Sequence, residues 1–203
     1  MTTDPARGIA FFDFDRTLIT GDSLVPFLAE LVGRRHAGLA LARAVPMAMA
    51  LRTRRGRGGP DLGTLVKSLV LRDTLAGIPV AAAAVAAERL RRGWVRWNPA
   101  MLRAFDEHRR AGRRIVVATG SLDIYMRGLL AERGIDDLLA TEIEVVNGVL
   151  TGRMSSGNCV RAEKANRVRA YLDRHGPFGK SWGYGNRPHD LPMLALLDHR
   201  VIV

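Results

Sequence analysis

This sequence predicts an α/β fold, with a mostly parallel sheet and a helical insertion after its first strand. Three observations lead there. An almost wholly apolar run at Ile9–Phe14, broken only by Asp13, gives way to turn formers, as a buried strand does at its carboxyl end. From Ser23 to about Arg92 the apolar spacing is helical and no strand candidate occurs. After Asn98-Pro99, short apolar runs alternate with helical segments, which implies parallel strands covered on both faces.

The elements follow in order. Thr17–Ser23 reads as a loop, and Ser23 can cap a helix through Leu31. His36–Arg52 is rich in Ala and Leu, while Asp61–Arg72 and Pro79–Arg92 repeat apolar residues at helical spacing; Gly56–Pro60 separates the second helix from the third. Pro99–Ala111 reads as helix, Arg113–Ala118 as strand and Leu122–Arg133 as helix. Asp137–Val146 holds a further strand, and Asn147-Gly148 turns a hairpin into Val149–Gly152. Helix at Arg161–Arg174, strand at Lys180–Tyr184, helix at Asp190–Leu197 and strand at Arg200–Val203 complete the alternation. Residues 1–22 and 98–203 thus form a core and residues 23–97 a helical cap, with Trp94 and Trp97 packing one on the other.

Composition bounds the function. An apolar fraction of 47% and a mean hydropathy near zero are those of a globular protein. The most apolar stretch, Leu39–Leu51, is interrupted by Arg43 and Pro46 and falls short of the roughly 20 apolar residues a membrane span needs. Met1–Gly8 is polar, without the apolar block of a signal peptide. Cys159 is the only cysteine, so no intrachain disulfide forms, which fits a cytoplasmic setting. The net charge of +11 is nearly all arginine, since Lys67, Lys164 and Lys180 are the only lysines. The charge is a solvated surface or an attraction to anionic partners. The densest cluster, Arg52–Arg57, lacks interleaved aromatics, so specific nucleic-acid readout is not indicated, while peripheral contact with an anionic membrane stays open.

Four polar groups fall at or beyond predicted strand ends, where ligands bind in such sheets. They are Asp13-Phe14-Asp15-Arg16-Thr17, Thr119-Gly120-Ser121, Lys164 at a helix start, and Gly185-Asn186 followed by Asp190. Paired acids, a lysine, a strand-end hydroxyl and a further acid suit a phosphate accompanied by a divalent cation. Singly, each has a structural alternative: Asp13 as a turn residue, Ser121 or Asp190 as a helix cap, Lys164 on a solvated face. The five histidines show no metal-ligand spacing, and Cys159 reads as structural.

Together these motifs resemble those of the haloacid dehalogenase superfamily, in its phosphoserine-phosphatase-like branch. Phe11-Phe12-Asp13-Phe14-Asp15-Arg16-Thr17-Leu18 is similar to the first motif, and Ile115–Ser121 to the second. Lys164, after Gly157-Asn158-Cys159, stands as the third, and Tyr184-Gly185-Asn186 through Asp190 to Leu194 as the fourth. The resemblance spans nearly the whole chain and implies a Rossmann-like core. It further implies a phosphatase acting on a phosphate monoester; the apolar, arginine-rich composition of the cap leaves a lipid-like substrate open beside a small-molecule one. Asp13 would be the nucleophile and Asp15 the general acid and base; Thr119, Gly120 and Lys164 would hold the phosphate. Mg2+ would be bound by Asp13, the Asp15 carbonyl, Asn186 and Asp190. Relatives usually carry an acid at Asn186, so weaker metal binding is expected here. Asp22 matches an acid that contacts the substrate amino group in phosphoserine phosphatases, and could equally begin a helix. Phosphoryl transfer to another acceptor needs the same residues, and an attenuated basic binding protein is the rival outside catalysis.

Overall fold

The computed structural model describes residues 8–55 and 59–203. The polar stretch before Gly8, and residues 56–58, which hold the end of the Arg52–Arg57 cluster and most of the separator, lie outside these residues.

Five parallel strands form the main sheet: β1 (Ile9–Phe12), β2 (Arg114–Leu122), β3 (Asp137–Thr141), β6 (Ser181–Gly185) and β7 (His199–Ile202), in the order β3-β2-β1-β6-β7. All four residues of β1 are buried because both faces of the sheet are covered. Ala10 and Phe12 face one apolar cluster with Phe105 of α5 (Pro99–Arg110) and Tyr125 and Leu129 of α6 (Asp123–Leu130). Ile9 and Phe11 face the other, with Val168 of α7 (Arg161–His175) and Met193 of the short α8 (Leu191–Leu194). From β1 the chain runs first to one side and later to the other. That reversal opens a crevice beyond the carboxyl ends of β1, β2 and β6.

The insertion is helical, as its spacing predicts: α1 (Leu24–Val32), α2 (Arg34–Arg55), α3 (Leu62–Leu75) and α4 (Val80–Gly93). Asp61 caps α3 by accepting from the Thr64 amide, and Asn98 caps α5 through Ala100. Ser23 precedes α1 but makes no capping bond, because its hydroxyl is used inside the site. The insertion leaves and returns at one place: the Thr20 amide donates to the Arg96 carbonyl, the Asn98 amide to the Leu18 carbonyl, and Ile19 pairs with Trp97. Trp97 stands edge-on to Phe14, so the tryptophan does join insertion to core. The apolar cluster is continuous across that junction, with Phe27 of α1 stacked on Tyr125 of α6 at 4.3 Å.

Two elements depart from the sequence reading. The segment expected as one strand over Asp137–Val146 splits into β3, in the main sheet, and β4 (Ile143–Val146), which pairs only with β5 (Val149–Met154). The Asn147-Gly148 turn forms, both residues having positive φ, but the hairpin it makes rests on the insertion. Gly77 and Ile78 exchange hydrogen bonds with Leu150, and Gly152, at φ +75, brings its Cα against the end of α3 where an added Cβ would lie 2.6 Å from the Leu71 carbonyl oxygen. β2 also runs past Ala118 to Leu122, with its pairing to β3 interrupted between those residues.

Candidate active site

The site grows from the end of β1. Asp13 follows the last strand residue, its amide donating to the Tyr184 carbonyl of β6, so its side chain enters the crevice between β1 and β6. It is 4% exposed. One carboxylate oxygen accepts from Lys164 Nζ at 2.7 Å; the other accepts from Thr17 Oγ1 at 2.9 Å and Asn186 Nδ2 at 3.2 Å. Lys164, on the first turn of α7, also pairs with Asp190. The second Asp190 oxygen accepts from the Asn186 amide at 2.8 Å, so both its oxygens are engaged.

Asp15 sits across the crevice on the wide turn Phe14–Leu18. One oxygen accepts from the Ser23 amide at 2.7 Å and the other from the Ser121 hydroxyl. In the ionised state of Asp15, which only accepts, Ser23 Oγ donates to Ser121 and Tyr125 donates to Ser23, a buried chain running Tyr125–Ser23–Ser121–Asp15. At φ 57 Arg16 takes the left-handed conformation that glycine favours, and its guanidinium pairs with Asp22 at the rim. Thr119 is fully buried, its Oγ1 accepting from the Ser121 amide at 3.0 Å and leaving its hydroxyl proton to donate. Gly120 forms wall where the β2–β3 pairing lapses, so its backbone is free of the ladder. A Cβ there would meet Val160 Cγ1 at 2.7 Å. Asp13, Asp15, Gly120, Lys164, Asn186 and Asp190 line one cavity of about 240 Å³, with Arg16 and Asp22 at its edge.

Residues 10–195, a span holding this whole constellation, match the haloacid dehalogenase-like hydrolases. The chain belongs to that family.

Among known relatives, this hydrolase is 29% identical over 190 residues to the phosphoserine phosphatase SerB2 of Mycobacterium tuberculosis. The match covers 93% of this chain and 42% of that protein, so the chain spans less than half the length of this curated relative. A Bordetella pertussis Tohama I protein of unknown function shares the fold with a TM-score of 0.78 at 23% identity, over 97% of this chain and 90% of that one. The phospho-aspartyl intermediate analogue of a phosphoserine phosphatase shares it at 0.63 and 17% identity, covering 97% and 86%.

In this hydrolase burial pushes the Asp13 carboxyl up to about 6, opposed by the Lys164 ammonium and aided by Asp190. Burial also raises Asp15, against the hydrogen bonds from Ser121 and Ser23. Burial alone would lower Lys164; Asp13 and Asp190 carry it above its ordinary value, so it stays charged. Among the described residues no cluster of three His, Cys, Asp or Glu side chains is arranged for a metal. The donors for a hard cation are of another kind. Asp13 Oδ2 and the Asp15 carbonyl converge on the Asn186 amide group, at 3.2 and 3.0 Å from its nitrogen. Turned over, that amide would set a third oxygen at the same point, a set that fits Mg2+.

Of the residues singled out in the sequence, the structure brings Asp13, Asp15, Gly120, Lys164, Asn186 and Asp190 to one cavity, while Thr119 is buried behind its wall. Sequence reasoning missed Lys67. From α3, Lys67 Nζ donates to the Gly120 carbonyl and, at 2.7 Å, to Asn158 Oδ1. Burial lowers its pKa to about 8. Its scarcity, as one of three lysines, was the available signal. Cys159 is buried, with burial raising its thiol pKa, in keeping with a structural residue.

Proposed function

We propose that this hydrolase is a phosphatase that cleaves a small phosphate monoester through an aspartyl-phosphate on Asp13, with Mg2+ as cofactor. The observation that carries the reading is the pairing of carboxylates on one cavity. Asp13 is fixed by Lys164, Thr17 and Asn186, and Asp15 by the separate chain of Ser23 and Ser121. They can therefore take different roles.

Asp13 attacks phosphorus and forms an acyl-phosphate while the bond to the leaving oxygen breaks. Asp15, which burial favours in its protonated form, gives its proton to that oxygen. In the second half-reaction Asp15 takes a proton from water, the water oxygen bonds to phosphorus, and the P–O bond to Asp13 breaks, releasing phosphate. Lys164 offsets the charge of nucleophile and phosphoryl group, and the Gly120 amide and Thr119 hydroxyl hold phosphoryl oxygens. Asp13, the Asp15 carbonyl and the turned Asn186 amide would hold Mg2+, which supplies electrostatic stabilisation of the phosphoryl group; Asp190 positions Lys164 and the Asn186 turn. Residues 23–97 act as the cap over this cavity, and Lys67 is the strut by which the cap fixes the Gly120 loop.

The test is turnover of an aryl phosphate and of a panel of natural esters with Mg2+, phosphoserine first because the relatives are named for it. Asp13→Asn is expected to lower the rate by about three orders of magnitude or more without altering the circular dichroism spectrum. Asp15→Asn is expected to slow both half-reactions and let phosphorylated enzyme accumulate. An Asp13→Asn protein keeping most of the wild-type rate would refute covalent catalysis here.

A further inference from the structure

The long helix α2 is built inside out. The residues it turns inward are small, Ala37, Ala40, Ala44 and Ala48, all buried. Its large apolar side chains point away from the protein: Leu39 is 54% exposed, Met47 53%, Met49 55% and Val45 41%. A helix on a water-facing surface carries the reverse pattern. The apolar surface continues past Leu41 into a cavity of about 280 Å³ that also has Leu24, Val25 and Val66 in its wall.

The charges on α2 are arranged as deliberately. Arg34 and Arg35 open the helix, Arg43 lies midway, Arg52 and Arg54 stand in its last turn, and no acid occurs between Arg34 and Arg55. All five are exposed, and none forms an ion pair among the described residues. Solvent-exposed apolar side chains bracketed by unpaired guanidinium groups match one phase boundary, hydrocarbon beneath an anionic headgroup layer. At 22 residues with arginine in its middle, α2 suits lying in that boundary, and among the described residues no helix is long and apolar enough to cross a membrane.

We infer that the outward face of α2 docks this protein on an anionic phospholipid bilayer, Leu39, Val45 and Met49 entering the interface while the arginines meet lipid phosphates. Charge complementarity selects this occupant. A second copy would bring arginine against arginine with no acid between them. A nucleic acid would satisfy the arginines but leave the aliphatic side chains in water, and α2 offers no Phe, Tyr or Trp for base stacking. The inference does not depend on the assignment of the catalytic site.

Sedimentation of the full chain with vesicles tests it. Vesicles of phosphatidylcholine mixed with phosphatidylglycerol should bind the protein at least about tenfold more tightly than phosphatidylcholine alone, with binding weakened by salt. The double variants Leu39→Ser/Met49→Ser and Arg34→Glu/Arg35→Glu should each lose about tenfold or more in that affinity. Both alter exposed positions remote from the cavity, so circular dichroism and turnover of a soluble aryl phosphate should match wild type. Equal partition to neutral and anionic vesicles, or variants that bind as wild type does, would overturn the inference. So would concentration-dependent self-association abolished by Leu39→Ser/Met49→Ser, which gives the face to a second copy. Retention on a soluble polyanion that needs the arginines, without any vesicle binding, gives it to a polyelectrolyte and equally overturns it.

Discussion

Asn186 donates from one amide nitrogen to both the Asp13 carboxylate and the Asp15 carbonyl. An aspartate there would replace two attractive contacts with the repulsion of an anion against those oxygens, until a cation enters between them. Asn186→Asp is therefore expected to be less stable than wild type in chelator and to gain more from Mg2+. A tightening of Mg2+ affinity by roughly 1–3 kcal/mol follows from restoring one anionic ligand at an effective dielectric of about 20. Thermal unfolding of both proteins across a Mg2+ titration reads both effects. Identical titrations would remove Asn186 from the metal site. His108 gives a second prediction. Its Nδ1 accepts from Arg113, so Nε2–H donates to the Tyr184 hydroxyl, and burial lowers its pKa to about 4 from an ordinary 6.5. Between those values the unfolded chain binds a proton that the folded one does not. Stability from His108 is thus full above pH 6.5 and drains away as pH falls toward 4. His108→Gln should flatten that limb by about 1–2 kcal/mol, solvent screening included, in denaturant titrations at pH 7 and pH 4.

At the scale of elements, α3 reaches the chemistry through a single side chain. Lys67 and Thr141 both donate to the Gly120 carbonyl, which fixes the peptide that directly follows the Gly120 amide proposed for phosphate. Lys67→Met should lower kcat/KM by about 10–100-fold, the usual consequence of a misplaced binding group, and Lys67→Arg should restore part of it. With its pKa near 8, the wild-type lysine loses its charge above that pH, so kcat/KM should fall on the alkaline side in wild type and not in Lys67→Arg. A flat profile in both would leave Lys67 as packing. This residue also marks where sequence reasoning stops. Asp13, Asp15, Lys164 and Asp190 were legible because they stand in short motifs at element ends, where strand and helix periodicity gives out. Lys67 sits in the middle of an ordinary amphipathic helix, and only the fold carries it to Gly120. The chain Tyr125–Ser23–Ser121 was hidden for the same reason, with Ser23 reading as a helix cap. Likewise the β4–β5 hairpin was read correctly as a turn with two flanks. Its docking on α3 depends on contacts such as Gly152 against Leu71, which leave no local periodicity to read.

Taken whole, the molecule has an insertion whose inner helices share the core of the sheet. Phe27 stacks on Tyr125, Ala83, Ala86 and Ala87 of α4 are buried in the cluster that also holds Phe12 and Val117, and the two ends of the insertion are tied together at Ile19 and Trp97. Excising residues 23–97 would bare Tyr125 and Leu129, so the insertion is not a detachable part. Helix α2 differs. Its ridge of alanines lets it approach α3 closely but gives little apolar area to hold it, since each methyl stabilises far less than a buried leucine does. Amide hydrogen exchange under native conditions should therefore find two tiers. The amides of α1 and α4 should open together with those of β1, β2 and α6, only at the cost of global unfolding, while α2 exchanges first by a smaller opening. Release of α1 and α4 ahead of the sheet would show two separate folding units. The expected order means that this protein melts from its α2 edge inward, the crevice beyond β1, β2 and β6 keeping its shape until the last cooperative step.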